Sequence, residues 1–124
     1  YQWTRVSFGG PPAPADWLPD EFTGLARCGP AHGADVTWRI AERVAGAGWF
    51  MVGDAAAILD PTSSHGVLKA LMSGIMAGHL ITAIVQGRAP AGEAAAVYHG
   101  WLAGWFATDA ARLGEFYRQL HARA

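Results

Sequence analysis

Residues 51–74, Met-Val-Gly-Asp-Ala-Ala-Ala-Ile-Leu-Asp-Pro-Thr-Ser-Ser-His-Gly-Val-Leu-Lys-Ala-Leu-Met-Ser-Gly, hold the chemistry-bearing residues of this chain in one stretch. An apolar run stops at Gly53-Asp54, which sets a carboxylate at the carboxyl end of a strand, where open α/β sheets bind their ligands. A carboxylate there can accept two hydrogen bonds from a ribose-like or ribityl diol. Downstream, Pro61 to Gly66 is a small-residue turn opening a long helix, whose first-turn N–H groups and partial positive charge attract an anion or an electron-rich carbonyl. No nucleophile–base–orienter order is readable, because Ser63, Ser64 and His65 are adjacent and neighbouring side chains do not generally converge. The residues describe a binding site and leave the catalytic residues unknown.

Each of these residues also has a plainer reading. Asp54 can be a helix cap and Asp60, before Pro61, a turn initiator. His65 either orients a ligand or caps the helix start, and Ser63 and Ser64 serve as caps or loop hydrogen-bonders. His79 reads as a core histidine. With His65 it has no carboxylate or cysteine at ligand spacing, so no metal site is expected. Lys69 and Arg88 read as solvated charges. Cys28 has no activating neighbours, and the tryptophans read as packing residues, with Trp3 and Trp38 as candidates to face a substrate.

The elements that must position the Gly-Asp turn follow from periodicity. Tyr1 to Phe8 reads as a strand ended by the Gly-Pro run through Pro14, and a short helix starts at Asp16 or Pro19-Asp20 and runs through Leu25. Val36 to Val44 alternates Val36, Trp38 and Ile40 against Thr37, Arg39 and Ala41, as a half-buried strand does. After Gly46-Ala47-Gly48, Trp49 to Val52 is uniformly apolar, which predicts a strand covered on both faces, as in a parallel sheet.

Apolar residues at helical spacing predict a helix over 66–86 that ends at Gly87 and Ala89-Pro90. Its length and apolarity suggest a membrane span, but Lys69, His79 and the interspersed glycines and serines favour a buried helix. The stripe Ala70, Gly74, Gly78 predicts something packed very close. A second helical region runs from Ala91 or Gly92 to about Ala122, with Val97, Trp101, Trp105, Phe106, Leu113, Phe116, Tyr117 and Leu120 aligned, and a bend or break near Thr108-Asp109.

Composition excludes several classes. The 124 residues are 52% hydrophobic and 15% charged, enough for one core. A net charge of -1 offers no basic footprint for nucleic acid. One cysteine excludes an internal disulfide and fits a reducing, cytoplasmic setting. No signal-peptide pattern opens the chain, and the start on Tyr1 is read as that of a fragment of a longer protein.

Gly53-Asp54-Ala55-Ala56, followed by Asp60-Pro61 and Ser64-His65-Gly66-Val67, resembles the second flavin-contacting motif of FAD-dependent monooxygenases and flavin-dependent halogenases of the para-hydroxybenzoate hydroxylase type. The halogenase-like branch resembles it best, and the closing Tyr98, Trp101, Phe106, Asp109, Leu113, Phe116 and Tyr117 are similar to that branch's carboxyl-terminal helices. The resemblance runs over roughly residues 36–120 and is densest at 53–67.

The resemblance implies an α/β fold: residues 36–124 as the carboxyl-terminal portion of a Rossmann-like FAD-binding domain, and residues 1–35 as the end of a substrate-domain strand and its loop. It implies FAD as cofactor, with Gly53 and Asp54 at the ribityl hydroxyls. Pro61, Ser64, His65, Gly66 and Val67 would lie beside the flavin ring.

The family's amino-terminal G-x-G-x-x-G, the halogenase's catalytic-lysine region and its Trp-x-Trp-x-Ile-Pro signature are absent from these residues, and His65 stands where that branch commonly has serine. The expectation is therefore a monooxygenase acting on an organic or peptidyl substrate, supplied with electrons by a flavin reductase or NAD(P)H, with no nucleic acid or membrane partner. A flavin-dependent halogenase is the alternative on the same scaffold. A free-standing helical module that binds a partner through its tryptophans is the alternative without flavin.

Overall fold

The computed structural model describes residues 14, 16–30, 32–61 and 65–121. The strand expected over Tyr1–Phe8, Trp3, and Thr62 to Ser64 lie outside the described residues. Packing divides the chain into two compact units, residues 1–35 and 36–124.

In the first unit the expected short helix is a single 3-10 turn, Asp20–Phe22, with extended Pro19 ahead of it. Phe22 N–H bonds Pro19 O at 2.9 Å and Leu25 N–H bonds Phe22 O at 3.0 Å, with Gly24 between them at φ 84°. The Arg27 guanidinium donates to Trp17 O at 2.9 Å. Cys28 is an exposed free thiol.

The second unit is a mixed α/β arrangement of two small antiparallel sheets and two long helices. Its strands are β1 (Arg39–Ile40), β2 (Ala45–Gly46), β3 (Trp49–Phe50) and β4 (Ala57–Ile58). β1 pairs with β4 in the register Arg39↔Ile58 and Ile40↔Ala57, and Ala41 N–H to Ala56 O at 2.9 Å extends the ladder. The alternation over 36–40 is observed, with Val36, Trp38 and Ile40 half-buried and Thr37 and Arg39 exposed.

β2 and β3 form a hairpin through Ala47-Gly48, with Gly48 at φ 86° and Met51 N–H bonding Val44 O at 2.8 Å. The parallel, doubly covered strand expected at Trp49–Val52 is thus corrected. A two-residue reversal can only place the next strand antiparallel, and Trp49 and Val52 are exposed.

Helix α1 spans Gly66–Val85. It ends in a Schellman motif: Gly87 at φ 68° donates to Ile84 O at 3.0 Å, and Arg88 N–H to Ala83 O at 2.8 Å. Helix α2, Ala91–His121, follows after Pro90, whose carbonyl takes the Ala94 N–H at 3.0 Å. No break occurs at Thr108-Asp109; the Thr108 hydroxyl turns back onto Gly104 O at 2.9 Å inside a continuous helix.

The core is Val44, Ala56, Ala77, Tyr98 and Leu102, with Ile40, Phe50, Met51, Met76, Leu80, Trp101 and Trp105 packed around it. Aromatic rings run along α2: Phe50 meets Tyr98 edge-on at 5.2 Å, and Trp101 stacks on Trp105 at 6.0 Å. The inward row is Ala94, Tyr98 and Leu102, and Val97, Phe116 and Leu120 of the aligned apolar set are exposed.

Helix α1 reverses the expectation of a buried helix. Its inward row is Lys69, Ser73 and Ala77, while Val67, Leu68, Leu71, Met72, Ile75, Ile81 and Val85 are exposed. By length and composition alone α1 would suffice to cross a bilayer. The close packing predicted for the small-residue stripe occurs at Ala70 alone; a side chain added at Gly74 or Gly78 would meet nothing within 4 Å. His79 is exposed rather than a core histidine, and Lys69 is buried rather than solvated.

Candidate functional site

The Gly-Asp turn is a 3-10 turn, Gly53–Ala55, entered from extended Val52 and closed by Ala56 N–H on Gly53 O at 3.0 Å. Gly53 sits at φ 58°, and a Cβ there would lie 3.2 Å from the Ala70 Cβ. Both facts favour glycine: the left-handed conformation strains an L side chain, and a Cβ would crowd Ala70 of α1.

Two buried side chains anchor this segment. The Gly53 N–H donates to Ser73 Oγ at 2.9 Å, and that hydroxyl turns its own proton to the helix carbonyls of Lys69 (2.8 Å) and Ala70 (3.0 Å). The Tyr98 hydroxyl donates to Met51 O at 2.6 Å. Burial pushes the Tyr98 phenol above its ordinary 10.0, and a hydrogen bond with Ser73 works in the opposite sense. Helices α1 and α2 therefore grip backbone positions two residues apart, directly before Asp54.

Asp54 follows with an exposed carboxylate that makes no hydrogen bond or ion pair among the described residues. It is not a helix cap, since Val52 holds the cap position of its turn and His65 that of α1. The arrangement offers an acceptor-only group on a rigid turn, suited to vicinal hydroxyls.

His65 is exposed at the cap position of α1, and no side-chain capping bond is made there. The first N–H groups of α1 have no intrahelical acceptor by helix geometry. Gly66 and Val67 open that turn, both exposed, and Pro61 is exposed as well. Ser64 lies outside the described residues. Gly53 contacts α1 at Ala70 and Ser73, so the Gly-Asp turn packs one to two turns inside the helix rather than on its first residues.

Beside this turn lies a second polar group of contacts, between the helices. Lys69 Nζ is 3.2 Å from the Asp109 carboxylate and 4.8 Å from the centre of the Trp105 ring, and makes no hydrogen bond of good geometry. Asp60 is 2% exposed and accepts the Tyr117 hydroxyl; the Tyr117 ring lies 6.2 Å from that of Trp38. Asp60 therefore ties its loop to α2 and is more than a turn initiator. No cluster of three potential metal ligands exists among the described residues.

Sequence reasoning missed Ser73 altogether, the backbone bond of Tyr98, the pairing of Asp109 with Lys69 and the inward role of Lys69. The available signal was a spacing of four, Lys69, Ser73 and Ala77 on α1 and Ala94, Tyr98 and Leu102 on α2, which marks a helix face as firmly as an apolar stripe does.

The chain is 33% identical over 84 residues to the tryptophan 2-halogenase of Chondromyces crocatus, an alignment covering 68% of this chain and 16% of that protein. The chain thus corresponds to a minor part of that relative's length. Neither a family model nor a solved structure matches.

Proposed function

We propose that this chain is the carboxyl-terminal segment of an FAD-dependent oxidoreductase of the halogenase-like branch, within a Rossmann-like FAD-binding domain. The observation that carries the reading is Asp54: an exposed carboxylate without a partner among the described residues, on a turn anchored from both helices, inside the motif that resembles the flavin-contacting one. These residues fit a flavin. Asp54 accepts from ribityl hydroxyls, the Gly53 backbone brings no side chain into the approach, and the start of α1 presents N–H groups to an electron-rich carbonyl edge. When bound, reduced flavin supplies the two electrons that activate oxygen.

For the reaction itself we favour oxygen transfer to an organic or peptidyl substrate. His65 brings bulk and its own proton donor or acceptor to the place where a halide would need bare backbone N–H groups. Halogenation is the second reading, favoured by the name of the similar protein.

The test uses the gene product that carries these residues. Asp54→Ala should weaken FAD retention by about 1–3 kcal/mol, the range for hydrogen bonds to a charged group, with the fold intact. Full flavin occupancy in that variant refutes the site. Product masses measured with and without chloride or bromide separate the two reactions: a halide-independent gain of one oxygen supports transfer, and a halogenated product whose yield saturates with halide overturns it.

A further inference from the structure

We infer that Ser73 and Tyr98 are positioning residues that fix where the Asp54 carboxylate stands, a role that rests on the flavin reading of this site for its functional meaning. Both side chains are buried, at 1% and 0% exposure. What they hold is backbone. Ser73 Oγ takes the Gly53 N–H, the donor immediately before Asp54, and Tyr98 Oη holds Met51 O, three residues before it. The two bonds fix the peptide planes 51–52 and 52–53 from opposite helices, and with them φ and ψ of Val52 at -129° and 160°. Gly53, at φ 58°, starts the turn that carries Asp54 from the second of these planes.

The Ser73 hydroxyl is suited to the task because its oxygen accepts the Gly53 N–H while it stands 2.8 and 3.0 Å from the α1 carbonyls of Lys69 and Ala70, which hold it in place. Position 73 is also two helical turns inside α1, away from fraying ends. The consequence is that the reach of Asp54 toward ligand hydroxyls is set by two residues that never touch the ligand.

The experiment compares riboflavin, which carries the ribityl hydroxyls, with lumiflavin, which lacks them, as probes for the gene product carrying this chain. Ser73→Ala and Tyr98→Phe should each weaken riboflavin binding about fivefold, the equivalent of about 1 kcal/mol for one hydrogen bond, and leave lumiflavin binding unchanged. Amide exchange at Gly53 should quicken in Ser73→Ala. A merely structural role would weaken both flavins alike, and that result overturns the inference, as does unaltered riboflavin affinity. Should the unsubstituted protein bind neither flavin, the proposed function fails separately. Gly53 exchange then decides the positioning claim: faster exchange in Ser73→Ala upholds the lock, and unchanged exchange removes it.

Discussion

Replacing Asp109 by alanine should destabilise the fold by about 2–3 kcal/mol, while Lys69→Met should cost less than about 1 kcal/mol. The asymmetry follows from burial. The Lys69 side chain is 11% exposed and the Asp109 side chain 22%, and their charges lie 3.2 Å apart. Breaking a fully buried pair from one side costs about 3–5 kcal/mol, whereas an exposed pair is worth about 0–1. With a fifth of Asp109 still open to water, the loss falls between these limits.

Without Asp109 the ammonium keeps, among the described residues, the Trp105 face at 4.8 Å, which returns a fraction of its hydration. Methionine at 69 instead removes the charge, keeps an unbranched side chain beside Trp105 and leaves Asp109, 22% exposed, to hydrate. Urea unfolding of both variants, read as midpoint shifts at unchanged slope, measures the difference. If Lys69→Met proves as costly as Asp109→Ala, or if Asp109→Ala is neutral, the account of Lys69 as the member dependent on its partner is wrong.

Two further predictions concern the Gly-Asp turn. The raised Tyr98 pKa means that its contribution to stability is complete below the unfolded value near 10.0 and is lost as pH rises through the folded value. Alkaline unfolding curves of the unsubstituted chain should therefore fall more steeply above pH 10 than those of Tyr98→Phe, and equal slopes would refute it. Gly53→Ala should cost about 2 kcal/mol, from left-handed strain of about 1–2 kcal/mol and crowding against Ala70 at 3.2 Å, and thermal unfolding checks it.

Long-period features were legible in the sequence and short-range pairing was not. Both helices could be read close to their ends, because apolar spacing over twenty residues and the Gly87–Pro90 punctuation leave few alternatives. The alternation of residues 36–40 was legible for the same reason. Trp49–Phe50 misled because a short apolar run carries no period, so its partner was decided by the Ala47-Gly48 reversal instead.

The orientation of α1 was hidden by its own composition. A helix apolar all round has no preferred face, and its direction came from Lys69 seeking Asp109 and Ser73 seeking Gly53, bonds to residues 40 and 20 positions away. Within the candidate site the exposed Asp54 was legible because it interrupts an apolar run. Its supports were not, since Ser73 and Tyr98 look like ordinary helix residues until the backbone they hold is in place.

The inward turn of Lys69 also governs how this polypeptide behaves in bulk solution. By spending its one ammonium on Asp109, α1 presents a surface with no fixed charge among Val67, Leu71, Ile75 and Val85, on a chain whose formal net charge is only -1. Colloidal repulsion between molecules is then weak, while Val67, Leu71 and Ile75, one turn apart, form an exposed aliphatic strip about 12 Å long on α1. Added sulfate should therefore drive these molecules together at low concentration, whereas arginine or a mild detergent should keep them apart.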